Sequence, residues 1–456
     1  MTRIASHTVI ARSDEGAMKQ SRLDSISSLA MTLAVLVFTW FVFTNSAFAQ
    51  GSTYNFFGFG TPLPTADPTI EGLGGTGVAL QGTRVVNVIN PADWNWLTRA
   101  RFNVALRYDY ANDQLGGITE QQHNITLSGI SFGVPFWSEH SAALALGYVP
   151  LTDASGKIEA SDSMATKTYV RRGGANMLFL GAGMRLASAL AIGARLDLIT
   201  GNIRHQDHLA FTDLTQDSAE YERDYLFNGL RPTFGIELIG DSIADGLRGL
   251  TIGASYSLGA SLTATRETII TPISSTLDTT IDESGKGYYP SSFAAGISYH
   301  FSYRYRAEVD YSAQNFASAY VFAPLTSSGD PSLRNGSRIS VGVERLPNIS
   351  GEFGTSFGLD RWGLRLGFAY SQLPIEVAGF NFSPNGTGSS SSGGVTELAL
   401  SAGLGIPLSF ETLMNLSLTV GQRNPTDASV APKETFLRLG ASVSLSDKWF
   451  VPTRRE

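Results

Sequence analysis

Between Arg101 and Phe450 the chain repeats one pattern: about ten residues that alternate apolar and polar, then a polar stretch. Alternation puts successive side chains on opposite faces of a strand. In Arg101 to Tyr110, Phe102, Val104, Leu106, Tyr108 and Tyr110 share one face, while Arg101, Asn103, Arg107 and Asp109 take the other. One such strand suits a soluble sandwich as well as a membrane wall, so the series has to decide. Fourteen segments carry it: 101–110, 123–134, 141–149, 169–186, 190–204, 223–239, 249–265, 287–300, 304–314, 336–346, 361–372, 395–406, 412–422 and 434–450. Ten residues at about 3.3 Å each, tilted by about 40°, cross the ~25 Å apolar band of an outer membrane. Faces such as Leu250, Ile252, Ala254, Tyr256, Leu258 and Leu262 stay apolar over that length. Lipid tolerates no open sheet edge, so strands of this kind must close on themselves. The expected fold is all-β, a transmembrane antiparallel β-barrel of about 14 strands.

Connection lengths support the same reading. Short turns are expected near 135–140, 187–189, 302–303 and 407–411, and modest ones near 240–248 and 347–360. Long polar connections are expected near 111–122, 150–168, 205–222, 266–286, 315–335, 373–394 and 423–433. Barrels of this class have short periplasmic turns and long outer loops, and an even strand count puts both ends of the barrel chain in the periplasm.

A fourteen-stranded barrel is wider than its own side chains can fill, since about eight strands reach that limit. The expected filler is residues 50–96, an N-terminal plug, or hatch. Glu71 to Trp94 is too glycine-rich for a stable isolated helix and lacks strand alternation. Its expected packing residues are Gly72, Gly74, Gly75 and Gly77, and it ends in Asn90, Pro91 and Ala92. Pro91 fixes its own φ and biases Asn90 towards extended backbone, so the tripeptide is the expected anchor between plug and wall. Opposite the apolar strand faces, Arg107, Asp109, Arg304, Arg306, Glu308, Asp310, Arg361 and Arg365 are the expected lumen lining. On that reading Val309→Arg harms the barrel more than Arg306→Val.

Residues 1–49 read as a secretory signal peptide. The apolar run Leu29 to Phe43 follows Lys19 and Arg22, and small residues at Ala47 and Ala49 form a cleavage site. The run is shorter than the ~20 residues a helical span needs. Met18 is the expected start of translation. Cleavage after Ala49 removes four basic and three acidic residues, leaving 29 against 37, a balance of −8. That mild acidity gives no reason to expect nucleic acid. The barrel is expected over 97–450, with 451–456 as a short extension. With no cysteine in the chain, disulfides and thiolate metal sites are excluded.

Motifs that suggest chemistry have simpler explanations. Gly72-x-Gly74-x-x-Gly77 matches a dinucleotide fingerprint in form, but lacks the preceding strand and following helix that the fingerprint requires. His205 and His208 flank Asp207 in an expected outer loop, where solvation explains them as well as a metal does. No G-x-S-x-G or H-E-x-x-H occurs. No enzyme activity, metal or cofactor is expected.

With plug and strand count in view, the chain resembles the outer-membrane hydrophobic-compound transporters, the FadL-like long-chain fatty-acid family. The resemblance rests on the glycine-rich segment, the Asn90-Pro91-Ala92 that closes it, and the fourteen strands. Trp362 to Pro374, Gly403 to Pro407, Gly421 to Arg423 and Asp447 to Phe450 look like the branch found in Bacteroidetes- and Chlorobi-like bacteria. The resemblance implies a hydrophobic small-molecule ligand, lipid or fatty acid, leaving sideways through a gap made by a kinked third strand. Here that strand runs to Gly147-Tyr148-Val149-Pro150, and Gly147 and Pro150 are the expected gate residues. Trp449 and Phe450 resemble the terminal signal read by the barrel-assembly machinery, an expected partner beside outer-membrane lipids. Secretion shuttles of the type IX pathway share the glycine-rich start and Asn-Pro-Ala, so a barrel that binds exported proteins stays open as an alternative, as does a structural or adhesive one.

Overall fold

The computed structural model describes residues 51–447 apart from 65–66, 83, 116–117, 162, 212–217, 273–278, 324–332, 348–358, 377–392, 409–411 and 428–430. The expected leader, the 451–456 extension and the Trp449–Phe450 signal lie outside the described residues. Within them a closed antiparallel barrel forms. Its wall strands are β1 (Ala100–Leu115), β2 (Ile118–Trp137), β3 (Ala142–Pro150), β4 (Ala165–Ala187), β5 (Leu190–Phe211) and β6 (Ala219–Ile239). Then come β7 (Leu250–Ser257, continued by Ala260–Pro272), β8 (Thr279–Tyr289, continued by Ser292–Ser302), β9 (Tyr305–Gln314) and β10 (Gly336–Arg345). The last are β11 (Gly363–Glu376), β12 (Gly394–Pro407), β13 (Thr412–Pro425) and β14 (Lys433–Asp447). β14 returns to β1 in register from Ala100↔Asp447 to Gln114↔Lys433, which removes the open edge.

Side chains on the outer face confirm what surrounds the wall. Leu180, Leu230, Phe234, Ile297, Leu366 and Leu400 are each at least 50% exposed on strands whose alternate residues are buried. A soluble monomer rarely shows apolar area on that scale. The wall therefore faces lipid, as an outer-membrane barrel does.

Several expected loops are strand instead. Residues 111–115 and 118–122, 205–211 and 219–222, and 266–272 and 279–286 continue β1–β2, β5–β6 and β7–β8 beyond the apolar band. Polar residues there keep the backbone pairing without the apolar alternation that marks a lipid-facing strand. On β5–β6 no residue of 205–211 or 219–222 is fully buried, and on β1–β2 the buried inward residues Asp113 and Gln122 are themselves polar. Two expected lumen residues also move. The sequence reading starts strands at 304 and 361, but the ladders begin at Tyr305 and Gly363. Arg304 sits in the turn after β8 and Arg361 in the short helical turn Leu359–Arg361, so both lie at the rim with the short turns and not on the lumen wall. Arg304 donates to Asp360 at 2.8 Å, a hydrogen bond that holds its guanidinium above the ordinary value.

On this architecture Leu366→Arg should cost about 2–4 kcal/mol, as a basic residue does near the bilayer midplane, and Gln372→Arg on the same face at the outer interface about 0–1. Urea titration of the protein in lipid vesicles checks the difference, and equal costs would mean that β11 does not cross the membrane at this depth.

Candidate functional site

The described residues of 51–97 lie inside the barrel, and most of them are buried. Local signals set their path. Asp67 caps the short helix Pro68–Glu71 by accepting from the Thr69 N–H at 2.7 Å, and Pro68 occupies its first turn. The chain then reverses through Gly74 (φ 73°) and Gly75 (φ 88°), a left-handed region that side chains disfavour. Asn90 caps the 3-10 helix Pro91–Trp96 through the Ala92 N–H at 3.0 Å. Its amide also donates to Val78 O at 2.7 Å and to Ile236 O of β6 at 3.2 Å. Asn90, Pro91 and Ala92 are thus buried between the plug and β4–β6, not exposed in a loop.

Against this segment the wall presents glycine. Gly183 pairs with Gly193 and Gly193 with Gly235, Gly253 pairs with Gly296, and Gly342 pairs with Gly367. A Cβ at Gly183, Gly193 or Gly235 would strike Pro91 or Asn90, and at Gly253 it would strike Val78. At Gly342 it would come within 2.6 Å of Leu73 O, at Gly367 it would overlap Gly74, and at Gly403 it would meet Gly72. Glycine inside a strand marks close approach of another backbone. Here one residue per strand makes a belt on which the plug backbone rests.

Charge completes the contact. Asp197 lies between Arg195 (2.6 Å) and Arg231 (3.0 Å), and Arg195 also donates to Val88 O of the plug at 2.5 Å. Glu344 lies between Arg306 and Arg365 (2.7 Å), and Arg306 donates to Gln81 O at 2.8 Å. Glu397 is held by Arg423 (2.9 Å) and Arg438 (3.4 Å), while Arg338 donates to Gly74 O at 2.7 Å. Asp310 accepts from the Gly77 and Val78 N–H groups at 2.6 and 2.9 Å. Wall arginines therefore bind both a wall carboxylate and a plug carbonyl, which their five donors permit.

Of the expected lumen residues, Arg107, Asp109, Arg306, Glu308, Asp310 and Arg365 face inward, and Arg107 donates to Asp109 at 2.7 Å. Sequence reasoning missed Arg195, Asp197, Arg231, Glu344, Glu397, Arg423 and Arg438. Their signal was present: each occupies the face opposite an apolar one in its strand. The His205 ring packs tilted against Tyr225 with centroids 5.0 Å apart, and Asp207 pairs with Arg223 at 3.2 Å, so neighbouring side chains occupy that motif. Among the described residues no group of three or more His, Asp or Glu could hold a metal.

Above the plug a cavity of about 280 Å³ spans the lumen from Val149 and Leu151 to Phe316 and Leu373, with Arg195, Arg231, Arg338 and Glu397 on its polar side. Beside it the wall thins. β3 pairs with β2 only from Ile130↔Tyr148 downward. After Pro150 the chain turns inward, where Thr152 and Asp153 pair with Pro62 and Thr61 of the plug. Gly156–Ser161 then rejoins the wall through β4 alone. Residues 118–129 of β2 consequently have no strand partner on that side among the described residues. On the lipid face just below, a groove of about 530 Å³ is lined by Ile130, Phe132, Leu146, Tyr148, Leu178 and Leu180. It reaches inward-facing Phe179 at Gly147, which has no side chain to cover it.

These contacts reverse the order of damage read from the sequence. Removing Arg306 strips one partner from buried Glu344, at about 3–5 kcal/mol. Val309→Arg turns a charge to lipid at about 2–4 kcal/mol. Arg306→Val is thus expected to lower the urea midpoint at least as far as Val309→Arg, and a neutral Arg306→Val would show that the ion cluster holds nothing.

Comparison with known proteins follows from this geometry. Solved barrels share the fold: the Pseudomonas putida toluene transporter TodX matches with TM-score 0.55 and 13% identity, covering 85% of this chain and 99% of that one. The Ralstonia pickettii toluene transporter TbuX matches with TM-score 0.54 and 12% identity over 84% and 99%. A Pseudomonas aeruginosa FadL homologue matches with TM-score 0.54 and 11% identity over 85% and 99%. At such identity the likeness establishes the fold alone. No curated protein matches in sequence. A family model described as BamG matches residues 31–455, nearly the whole chain, and the protein belongs to the BamG family.

Proposed function

We propose that the protein is an outer-membrane channel for small hydrophobic molecules, which leave the lumen sideways through the gap between β2 and β3. The observation that carries this reading is the end of their ladder at Ile130↔Tyr148, two residues before Pro150, between the lumen cavity on one side and the apolar groove on the other. A hydrophobic ligand loses about 0.8 kcal/mol per CH₂ on entering water, so transfer from cavity to groove to bilayer avoids a barrier that axial release would meet. Gly147 and Pro150 serve as gate residues, one leaving the wall thin and the other ending β3. Size selects the ligand class. The cavity lies at the lower limit of the ~300–1,000 Å³ usual for ligand sites. A compact apolar molecule fits it, whereas a long fatty acid would have to lie partly in the groove. The solved barrels described as toluene transporters share the fold and support a compact ligand.

Family membership favours a second reading. The BamG model covers almost the entire chain. The barrel-assembly machinery, expected from the sequence as a partner during insertion, would on this reading be a lasting one. The plug, clamped on all sides, suits a barrel whose lumen stays shut.

The two readings separate in one preparation. Protein purified in mild detergent is tested for binding of labelled toluene and for co-purifying subunits. The channel reading expects toluene binding that Val149→Glu abolishes while the heat-modifiable gel shift of the folded barrel persists. Absence of toluene binding, together with a stoichiometric barrel-assembly subunit, would replace it with the second reading.

A further inference from the structure

The same cavity touches the wall in two different ways. On β4, β5 and β6 it meets single inward residues, Met177, Arg195 and Arg231, and on β7 the alternate pair Ser255 and Ser257. A continuous wall requires this, because consecutive side chains face opposite sides. On β8, β9, β10 and β11 it meets consecutive residues instead, 292–294, 312–314, 336–338 and 371–374, as it does at 149–151 where β3 leaves β2. Phe293 and Ala313 lie on the lipid face there, in one cross-strand row with Ser337. At each of these places the ladder to a neighbouring strand stops, and the cavity lies against its last pairs.

The ladders end at that level. The top pairs are Ser292↔Gln314 and Gln314↔Gly336. Beyond Gln314 the chain turns inward and buries Phe316 and Ala319. It then returns as Tyr320–Ala323, which pairs only with Lys286 and Tyr288 of β8 among the described residues. Across the gap, Leu333 bridges Ile375. Tyr311 and Tyr370 stand one step below on the lipid face, as aromatic residues do at the membrane–water interface.

We infer that the lumen cavity has a second lateral mouth, over the ends of β8–β10 at the outer interface, and that it admits the apolar tail of an amphiphile from the surrounding lipid. The mouth suits that chemistry. Ser312, Gln314 and Ser337 at its edge can hydrogen-bond a polar head, while Phe316 and Leu373 behind them receive the tail. The inference rests on the hydrophobic-ligand reading of the same cavity and adds an entrance opposite the β2–β3 gap.

The cysteine-free chain allows a direct test. Ser312→Cys carries a benzophenone in lipid nanodiscs, with Val309→Cys as the lipid-facing control, and irradiation is followed by mass measurement of the labelled peptide. A lipid adduct is expected at both positions. The Ser312 adduct should be lost when Ala313→Trp covers the mouth and kept when Leu151→Trp obstructs the β3 side. Ser337→Trp in the same row replaces Ala313→Trp if that variant fails the heat-modifiable shift. No adduct at Ser312, an adduct that survives the covering tryptophan, or one lost with Leu151→Trp overturns the second mouth. Toluene binding by the unlabelled protein is measured in parallel, so a missing mouth with binding intact leaves the channel reading standing, and missing binding removes that reading itself.

Discussion

Backbone contact between plug and wall is the interaction on which the interior depends. Glycine within a strand costs roughly 0.5–1 kcal/mol relative to alanine, yet the belt places glycine beside glycine across neighbouring strands. The cost is offset where plug carbonyls and amides reach wall groups that no side chain blocks. The carbonyl oxygens of Gly74, Val88 and Gln81 accept from wall arginines, and the Gly77 and Val78 N–H groups donate to Asp310. Without such partners the irregular plug backbone would be buried unsatisfied, at about 1–3 kcal/mol for each group.

The buried ion clusters are better understood as positioning than as net stabilisation. Taking a charged pair out of water roughly cancels its attraction, whereas removing one member leaves an uncompensated charge. An arginine fixed by a carboxylate on its own or a neighbouring strand points its remaining donors at a chosen plug carbonyl. Because the clusters around Asp197, Glu344 and Glu397 lie on different sectors of the wall, the plug is held from several directions. On the proposed function a ligand passes beside this fixed plug, where β3 leaves β2 or above Gln314.

Much of the fold was legible because lipid imposes a strict period. The apolar faces of β11 and of β7 as far as Leu258, and the strand count, came directly from alternation, and the need for a plug came from barrel width. Leu262, read onto the same face, is buried in the lumen because the strand breaks between Ser257 and Ala260 and its alternation inverts. The outer parts of β5 and β6 were not legible, since water on both faces removes the pattern while the ladder persists. Arg304 and Arg361 were misplaced for a related reason: a charge next to a strand of alternating residues reads as the next position until turn geometry is known. The glycine belt could not be seen at all. Each strand contributes about one glycine, and only the register between strands aligns Gly183 with Gly193 and Gly235. The inward turn at 151–155 shows in sequence only as Pro150, because its partner, Thr61–Pro62, lies ninety residues upstream.

The plug is a fixed part of the wall, and on the proposed function a ligand passes around it without displacing it. Amide hydrogen exchange of residues 70–80 in the membrane-embedded protein tests this most directly. These amides should exchange as slowly as those of the β10–β11 ladder in the native protein, and much faster in Gly367→Ala, whose methyl group would occupy the place of Gly74. Exchange at the rate of an exposed loop in the native protein would contradict the account, because a plug that opens so readily is not seated on the wall.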